Sequence, residues 1–188
     1  METKENTRYL FQRLYESDDQ PAFMRLHAHF FPGLFRLISS ITGHHEAAEE
    51  LTNDVFVQTW QNRKKLNIVD NPEVYLFVCA KNAAITYLKS IKAPATSIED
   101  LPQFDLQMER TQEDMLISSE MVARINIAIR QLPPKCKLIF LLVKEDNLKY
   151  REVAEVLGIS TKTVEAQMSI ALKKLSQSIP FSLPAFAR

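Results

Sequence analysis

The stretch that decides the fold runs from Leu132 to Ile179 and reads LPPKCKLIFLLVKEDNLKYREVAEVLGISTKTVEAQMSIALKKLSQSI. The two prolines near its start can open a helix, and Glu145–Asn147 predicts a turn after it. The pattern then predicts a helix from Tyr150 to Leu157, a tight turn, and a second helix from about Lys162. Two helices joined by so short a turn indicate a helix-turn-helix.

Three spacings within this stretch support the motif. Ala154 is small where the two helices would cross, and Gly158, four residues later, permits a positive φ in the turn. Val164, six residues after Gly158, can fill the core between the helices. Ser160 or Thr161 can cap the second helix with its side chain. The segment therefore predicts a DNA-binding unit.

The exposed start of the second helix would read bases if it entered a major groove. Glutamine can bond adenine twice, glutamate can accept from cytosine, and alanine can contact a thymine methyl group. The candidate base readers are Lys162, Thr163, Glu165, Ala166, Gln167 and Ser169. The candidate DNA-binding cations that suit phosphates are Lys149, Arg151, Lys173 and Lys174.

Composition favours an all-α soluble protein. The 188 residues include 46% apolar and 24% charged side chains, which are ordinary globular values. Three glycines are too few for a Gly-rich nucleotide loop or for many β-turns. The start of the chain is polar, so we expect no secretory signal and a cytoplasmic protein. Cys79 and Cys136 lie in apolar runs without metal-ligand spacing, and we expect both to be buried thiols.

A net charge of zero hides an uneven distribution. Residues 93–120 carry seven acidic and one basic residue, whereas residues 121–188 carry five acidic and eleven basic residues. The acidic stretch contains prolines and little periodicity, which is typical of a linker. We expect two small helical domains, at 1–92 and 119–179, joined by a linker at 93–118 and followed by a tail at 180–188. The alternative is one domain with an acidic surface loop.

The amino-terminal block predicts further helices. Asp18–Pro21 predicts a helix start, Pro32-Gly33 an interruption, and Gly43 a stop. A third helix is predicted from Glu46 to Leu66, with acidic residues first and basic residues last, as the helix dipole prefers.

Two features of this block leave alternatives open. Phe56 and Trp60 lie beyond the main apolar face of the third helix, so they are either buried or kept for a partner. Pro72 opens another helix, whose leftover face carries Tyr75, Lys81 and Asn82. That mixture suits a single nucleic-acid strand, although it also fits a solvated helix face.

The order of these motifs resembles the extracytoplasmic-function (ECF) group of bacterial sigma-70-type RNA polymerase sigma factors. The resemblance covers residues 22–92, like region 2, and residues 119–177, like region 4. The matching segments are FFPGLFRLISSITG, EAAEELTNDVFVQTW, LFVCAKNAAITYLKS, LPPKCKLIF and LKYREVAEVLGISTKTVEAQMSIALKKL. A departure is the recognition helix, where many relatives carry several arginines and this chain has Glu165, Gln167 and Ile170.

The resemblance implies roles for the amino-terminal residues. The third helix resembles the one that docks on the polymerase clamp. The polymerase-binding candidates are then Glu50, Asn53, Asp54, Phe56 and Trp60. The loop after it resembles the one that captures a base flipped from the −10 strand, an arrangement that lets the base edge be read. The −10 candidates are Asn67, Ile68, Val69, Asp70 and Asn71 in the loop, with Lys81 and Asn82 on the next helix. The helix-turn-helix resembles the −35 reader, and the acidic linker takes the place of region 3.

We expect a promoter-specificity subunit that catalyses no reaction, with no cofactor, no metal and no small-molecule substrate. Its expected partners are core RNA polymerase, promoter DNA and, as the resemblance implies, an anti-sigma factor, often membrane-anchored. The first rival is a free-standing helix-turn-helix regulator that binds duplex DNA as a dimer. The second rival is a metal-dependent enzyme that uses His44, His45, Glu46 and Glu49, although no nucleophile–base pair or phosphate loop supports it.

Overall fold

The computed structural model describes residues 2–91 and 119–178, and within these ranges the regular structure is helical. The predicted linker at 93–118 and tail at 180–188 lie outside the described residues, and the domain boundaries stay a prediction. The N-terminal half consists of α1 (Glu2–Ser17), α2 (Gln20–Thr42), α3 (His45–Gln61), a 3-10 segment (Arg63–Ile68) and α4 (Pro72–Ser90). The C-terminal half consists of α5 (Ser119–Arg130), α6 (Pro134–Lys144), α7 (Tyr150–Leu157) and α8 (Thr161–Ser178). The prediction of an all-α fold is confirmed.

Both ends of α2 follow the predicted signals. The Asp19 side chain accepts a hydrogen bond from the Ala22 backbone N–H at 3.0 Å, and Pro21 lies in the first turn. At the other end Gly43 has φ 70° and its N–H donates to the Ser39 carbonyl. A left-handed residue of this kind ends a helix while satisfying an otherwise unpaired carbonyl.

The predicted interruption at Pro32-Gly33 is wrong, because α2 continues through both residues. Proline in a helix interior removes one backbone hydrogen bond and is unfavourable by about 3 kcal/mol. Here the apolar face on both sides of it, including Phe30, Leu34 and Leu37, is buried. Packing along that face outweighs the local penalty.

The predicted extension of α3 to Leu66 is also wrong, because α3 ends at Gln61 and a 3-10 segment follows. Arg63 Nη1 donates to the Trp60 carbonyl at 2.7 Å, while its Nε donates to Asp18 Oδ1 at 2.5 Å. Lys64 Nζ lies 3.0 Å from the same carboxylate. The basic run is therefore tied to the turn between α1 and α2 instead of extending the helix.

The sequence interpretation did not anticipate α1. Its buried face is formed by Thr7, Leu10, Phe11 and Leu14, which recur at the spacing of a helix. Phe11 packs against Phe30 of α2, with ring centroids 6.0 Å apart. This helix packs against α2 and against the 3-10 segment, which contains the first two residues of the predicted −10 loop.

Both halves contribute to one buried apolar cluster. Leu34, Leu37 and Ile38 are fully buried in the N-terminal half, and Ile139, Val153 and Val164 are fully buried in the C-terminal half. Cys136 is buried as expected, whereas Cys79 is only half-buried. Across the described residues, no helix is both long and apolar enough to span a bilayer.

Candidate nucleic-acid interface

The helix-turn-helix has the predicted geometry. Gly158 has φ 69°, and the Ile159 N–H donates to the Ala154 carbonyl at 3.0 Å, which closes the turn after α7. Ala154 and Val164 are both buried. A larger side chain at Ala154 would displace α8, so these residues fix the angle at which α8 is presented.

The start of α8 is capped by Ser160, one of the two predicted alternatives. Ser160 Oγ accepts from the Thr163 N–H at 3.0 Å and also lies 2.9 Å from Thr163 Oγ1. Val164, Met168, Ala171 and Leu175 are the buried face of this helix. That anchoring leaves the opposite face, at the amino-terminal end of α8, available to a ligand.

The predicted base readers divide into two sets. Lys162, Glu165, Ala166 and Ser169 are exposed, whereas Thr163 and Gln167 are half-buried. The backbone of Gln167 contacts α6, because the Cys136 thiol donates a hydrogen bond to the Gln167 carbonyl at 3.1 Å. The predicted phosphate contacts Lys149, Arg151, Lys173 and Lys174 are all exposed. The exposed residues give α8 a polar face, and exposed cations lie at the start of α7 and towards the end of α8.

The predicted −10 loop begins with Asn67 and Ile68, the last two residues of the 3-10 segment, and ends at Asn71 before α4. Leu66 is buried and anchors it, while Ile68 is 79% exposed, which is unusual for so large an apolar side chain. Asn67 and Asp70 are exposed, and Val69 is half-buried. Asn71 caps α4 by accepting from the Val74 N–H at 3.3 Å. The exposed loop atoms are thus held between a buried leucine and a capped helix.

The −10 candidates on the mixed face of α4, Lys81 and Asn82, lie more than two turns beyond the start of this helix at Pro72. Asn82 is exposed and Lys81 is half-buried. Tyr75 is half-buried six residues before Lys81, and burial raises its pKa above the ordinary value. The phenol can stack or donate a hydrogen bond.

The polymerase-binding candidates on α3 do not all share one environment. Glu50, Asn53 and Asp54 are exposed along one side of the helix. Phe56 is only 3% exposed, so it packs in the core. Trp60 is half-buried against Phe23, with ring centroids 5.1 Å apart, and the Arg63 guanidinium lies 4.4 Å from the Trp60 ring centre.

Sequence reasoning missed the contact between the two halves. Arg36 of α2 and Asp146, in the turn before α7, form an ion pair at 2.6 Å although 110 positions separate them. Asn71 Nδ2 also donates to Glu152 Oε1 at 3.1 Å. The only local signal was Gly33, since a glycine inside a helix often marks a close approach of another segment.

The fold and the exposed face of α8 define a DNA-binding protein of the helix-turn-helix class. Comparison with protein families gives two matches, Sigma-70 region 2 at residues 26–93 and Sigma-70 region 4 at residues 124–175. The chain belongs to the ECF group of the sigma-70 family of RNA polymerase sigma factors.

Two curated relatives extend the similarity to most of the chain. The chain is 26% identical over 172 residues to the ECF RNA polymerase sigma factor RpoE of Cereibacter sphaeroides, covering 89% of this chain and 92% of the relative. It is 23% identical over 158 residues to the ECF RNA polymerase sigma factor SigW of Bacillus subtilis, covering 80% of this chain and 84% of that protein.

Two solved structures share the fold. CnrH in complex with the cytosolic domain of CnrY aligns with a TM-score of 0.53 and 21% identity, covering 92% of this chain and 96% of CnrH. The sigma factor RpoE of Bartonella quintana, in complex with the anti-sigma factor NepR, aligns with a TM-score of 0.56 and 16% identity. That alignment covers 86% of this chain and 98% of the other.

Proposed function

We propose that this sigma factor directs core RNA polymerase to two-part promoters, reading the −35 duplex with α8 and capturing the −10 strand with the loop before α4. The observation that carries the proposal is the face of α8 that stays exposed while its opposite face is anchored in the core. Lys162, Glu165 and Ala166 at the start of this face can reach base edges, and the later Lys173 and Lys174 suit phosphates.

The −10 side of the proposal rests on the exposed loop. Ile68 and Asn67 extend into solvent from a segment held by buried Leu66. An exposed apolar side chain beside an amide suits an unstacked base, and the Lys81 ammonium farther along α4 suits a phosphate of the strand. The loop and the neighbouring part of α4 thus supply contacts for a single strand.

The proposed polymerase contact is the exposed side of α3, with Glu50, Asn53 and Asp54 as contact residues. Phe56 supports this surface from the core, and Trp60 borders it. The protein catalyses no reaction of its own in this proposal and acts in the cytoplasm, where the polymerase is. An anti-sigma partner is proposed because the sigma factor RpoE of Bartonella quintana, which shares this fold, is in complex with the anti-sigma factor NepR.

The experiment that tests this function combines the full chain with core RNA polymerase on a promoter library at one fixed salt concentration. We expect open complexes that need both proteins and that select a shared two-part sequence. A matched reaction with Lys162→Ala and Glu165→Ala should lose selection at the −35 part alone. Duplex binding by a dimer of the chain, without polymerase and without melting, would overturn the proposal in favour of a free-standing regulator.

A further inference from the structure

A large apolar side chain lies among the candidate base readers of α8. Ile170 is 42% exposed. Ala166, four residues before it, and Lys173, three residues after it, are exposed as well. Residues at these spacings lie on the same side of a helix. Ile170 therefore belongs to the outward face of α8, the face that is proposed to meet duplex DNA.

Leu172 is also exposed on α8, at 50%, but it has different neighbours. Met168, four residues before it, and Leu175, three residues after it, are both buried. Leu172 thus lies beside the buried stripe of the helix, where partial exposure of an apolar residue is ordinary. The exposure of Ile170 is not explained in this way, because its neighbours at the same spacings face solvent.

Ile170 is close enough to the start of α8 to reach base edges. It follows Lys162 by eight residues, which is about 12 Å along a helix axis. The major groove is also about 12 Å wide. A helical side chain leans towards the amino terminus of its helix, so the side chain of Ile170 extends over the turn that contains Ala166. A helix that enters the groove at its amino-terminal end thus brings both residues to the bases.

The chemistry of an isoleucine side chain limits what it can recognise in the groove. It has no hydrogen-bond donor or acceptor, so it cannot bond the polar atoms of base edges. The C5-methyl group of thymine is the apolar group that the major groove presents, and it distinguishes thymine from cytosine. Contact between the two apolar groups removes both from water, which is favourable. β-branching also restricts the first side-chain torsion of isoleucine, so the side chain has little freedom to lose on contact.

The backbone that carries Ile170 is held by the core. Val164, Met168 and Ala171 are buried on the opposite side of α8. The Cys136 thiol of α6 also donates to the Gln167 carbonyl at 3.1 Å, one turn before Ile170. Fixed placement is important because an apolar contact is short-ranged, and a gap of about 1 Å removes up to about half of its attraction.

We propose that Ile170 is a specificity-determining residue that reads the 5-methyl group of one thymine in the −35 element. This inference rests on the proposed function, since it requires α8 to lie in the major groove of promoter DNA. It deepens that function by adding a thymine preference to a helix whose other candidate readers are mostly polar.

The test uses the −35 element selected in the open-complex experiment and replaces each of its thymines, one at a time, by deoxyuridine. Deoxyuridine keeps every donor and acceptor of thymine and lacks only the methyl group. For the full chain bound to core polymerase, we expect one replacement to lower duplex affinity about fourfold, which corresponds to one buried group of CH₂ size. Ile170→Ala should bind the thymine and deoxyuridine duplexes equally at that position, as a double-mutant cycle requires of two groups in contact.

Two variants are matched controls. Ile127→Ala makes the same change at an isoleucine of α5 that is 54% exposed, and Leu172→Ala removes an exposed apolar side chain from α8 beside the core. Both should keep the full sensitivity to the methyl group. Ile170→Val retains a β-branched side chain and should keep part of it, which also covers the case in which Ile170→Ala disturbs α8.

Salt dependence separates this contact from a phosphate contact. An apolar contact releases no counterions, so the fourfold difference between thymine and deoxyuridine should be the same at two salt concentrations. Lys173→Ala, in contrast, should reduce the salt dependence of duplex binding and leave the methyl sensitivity unchanged.

Three results would overturn the inference. The selected −35 element could contain no thymine, no thymine could depend on its methyl group, or Ile170→Ala could keep the wild-type sensitivity at every position. Failure of the wild-type protein and core polymerase to select any −35 element would overturn the proposed function itself, and the inference with it.

Discussion

Gln167 is the residue at which base reading and helix packing meet. Its side chain is half-buried on α8, and the Cys136 thiol fixes its backbone carbonyl. Because an amide can bond both a donor and an acceptor of adenine, we expect Gln167→Ala to lose about 1–3 kcal/mol at one −35 base pair. Binding to duplexes that vary at each −35 position measures this loss.

The matched control is Gln177→Ala, which removes the same amide from an exposed position near the end of α8. It should leave the position-specific affinities unchanged. An equal loss for Gln167→Ala at every sequence would contradict a base-reading role and indicate that only packing was disturbed.

Gly158 has a positive φ of 69° in the turn of the helix-turn-helix. Side chains with a Cβ are strained in this region, so Gly158→Ala should lower the free energy of unfolding by about 1 kcal/mol. Asparagine tolerates the left-handed region better, so Gly158→Asn should lose less. Urea unfolding of the full chain measures both. If Asn proved as unfavourable as Ala, or more so, backbone strain would not be the cause.

The exposed side of α3 is the element that we expect to bind polymerase. Asn53 and Asp54 are both exposed, and no side-chain hydrogen bond of theirs is part of the described structure. Asn53→Ala combined with Asp54→Ala should therefore weaken core-polymerase binding by about 1–3 kcal/mol while the helix content and thermal stability stay unchanged. Affinity for purified core polymerase is the measurement.

The control for this pair is Gln12→Ala combined with Glu16→Ala. It also removes one amide and one carboxylate from an exposed helix, here α1. Equal affinities for the two double variants would exclude α3 as the docking element.

Helix ends with a local chemical signal could be predicted from the sequence. Asp19 with Pro21, Gly43, Asn71 with Pro72, and Gly158 all act within a few residues of the end that they define. Pro32 shows the limit of such signals, because burial of the α2 face on both sides outweighs a local penalty. The end of α3 at Gln61 could not be predicted from the sequence either, because it depends on a bond between Arg63 and Asp18, which is 45 positions away.

The arrangement of the two halves depends on residue pairs that are far apart in the sequence. Arg36 and Asp146 belong to no motif, and from the sequence each is expected to be an ordinary surface charge. The face of α8 was predictable because a single helix determines it. The contact between the two halves was not, because it depends on side chains that are far apart in the sequence.

The free energy of unfolding should depend on pH through Asp146. Burial raises the pKa of Asp146 from 3.8 to about 6, although Arg36 lowers it, and Glu145 adds repulsion. The folded form thus binds a proton more tightly than the unfolded chain, in which the carboxyl regains water. The contribution of this group should be most favourable below about pH 4, weaken as pH rises towards about 6, and stay constant above that value.

Urea unfolding between pH 5 and 7.5 measures this dependence, since the free energy of unfolding should fall over the lower part of the range. Asp146→Asn has no titrating group at the contact and should show a flat profile. The same pH dependence in that variant would assign the effect to another group.

The 110 positions between Arg36 and Asp146 also set an order of events during synthesis. A ribosome adds about 5–20 residues per second, and domains fold as units with the amino-terminal one first. Residues 2–91 can therefore fold on the order of ten seconds before residues 119–178 are complete. Throughout that interval Arg36 has no Asp146 to pair with and Asn71 has no Glu152 to donate to, so the contact between the halves cannot guide the folding of the amino-terminal half.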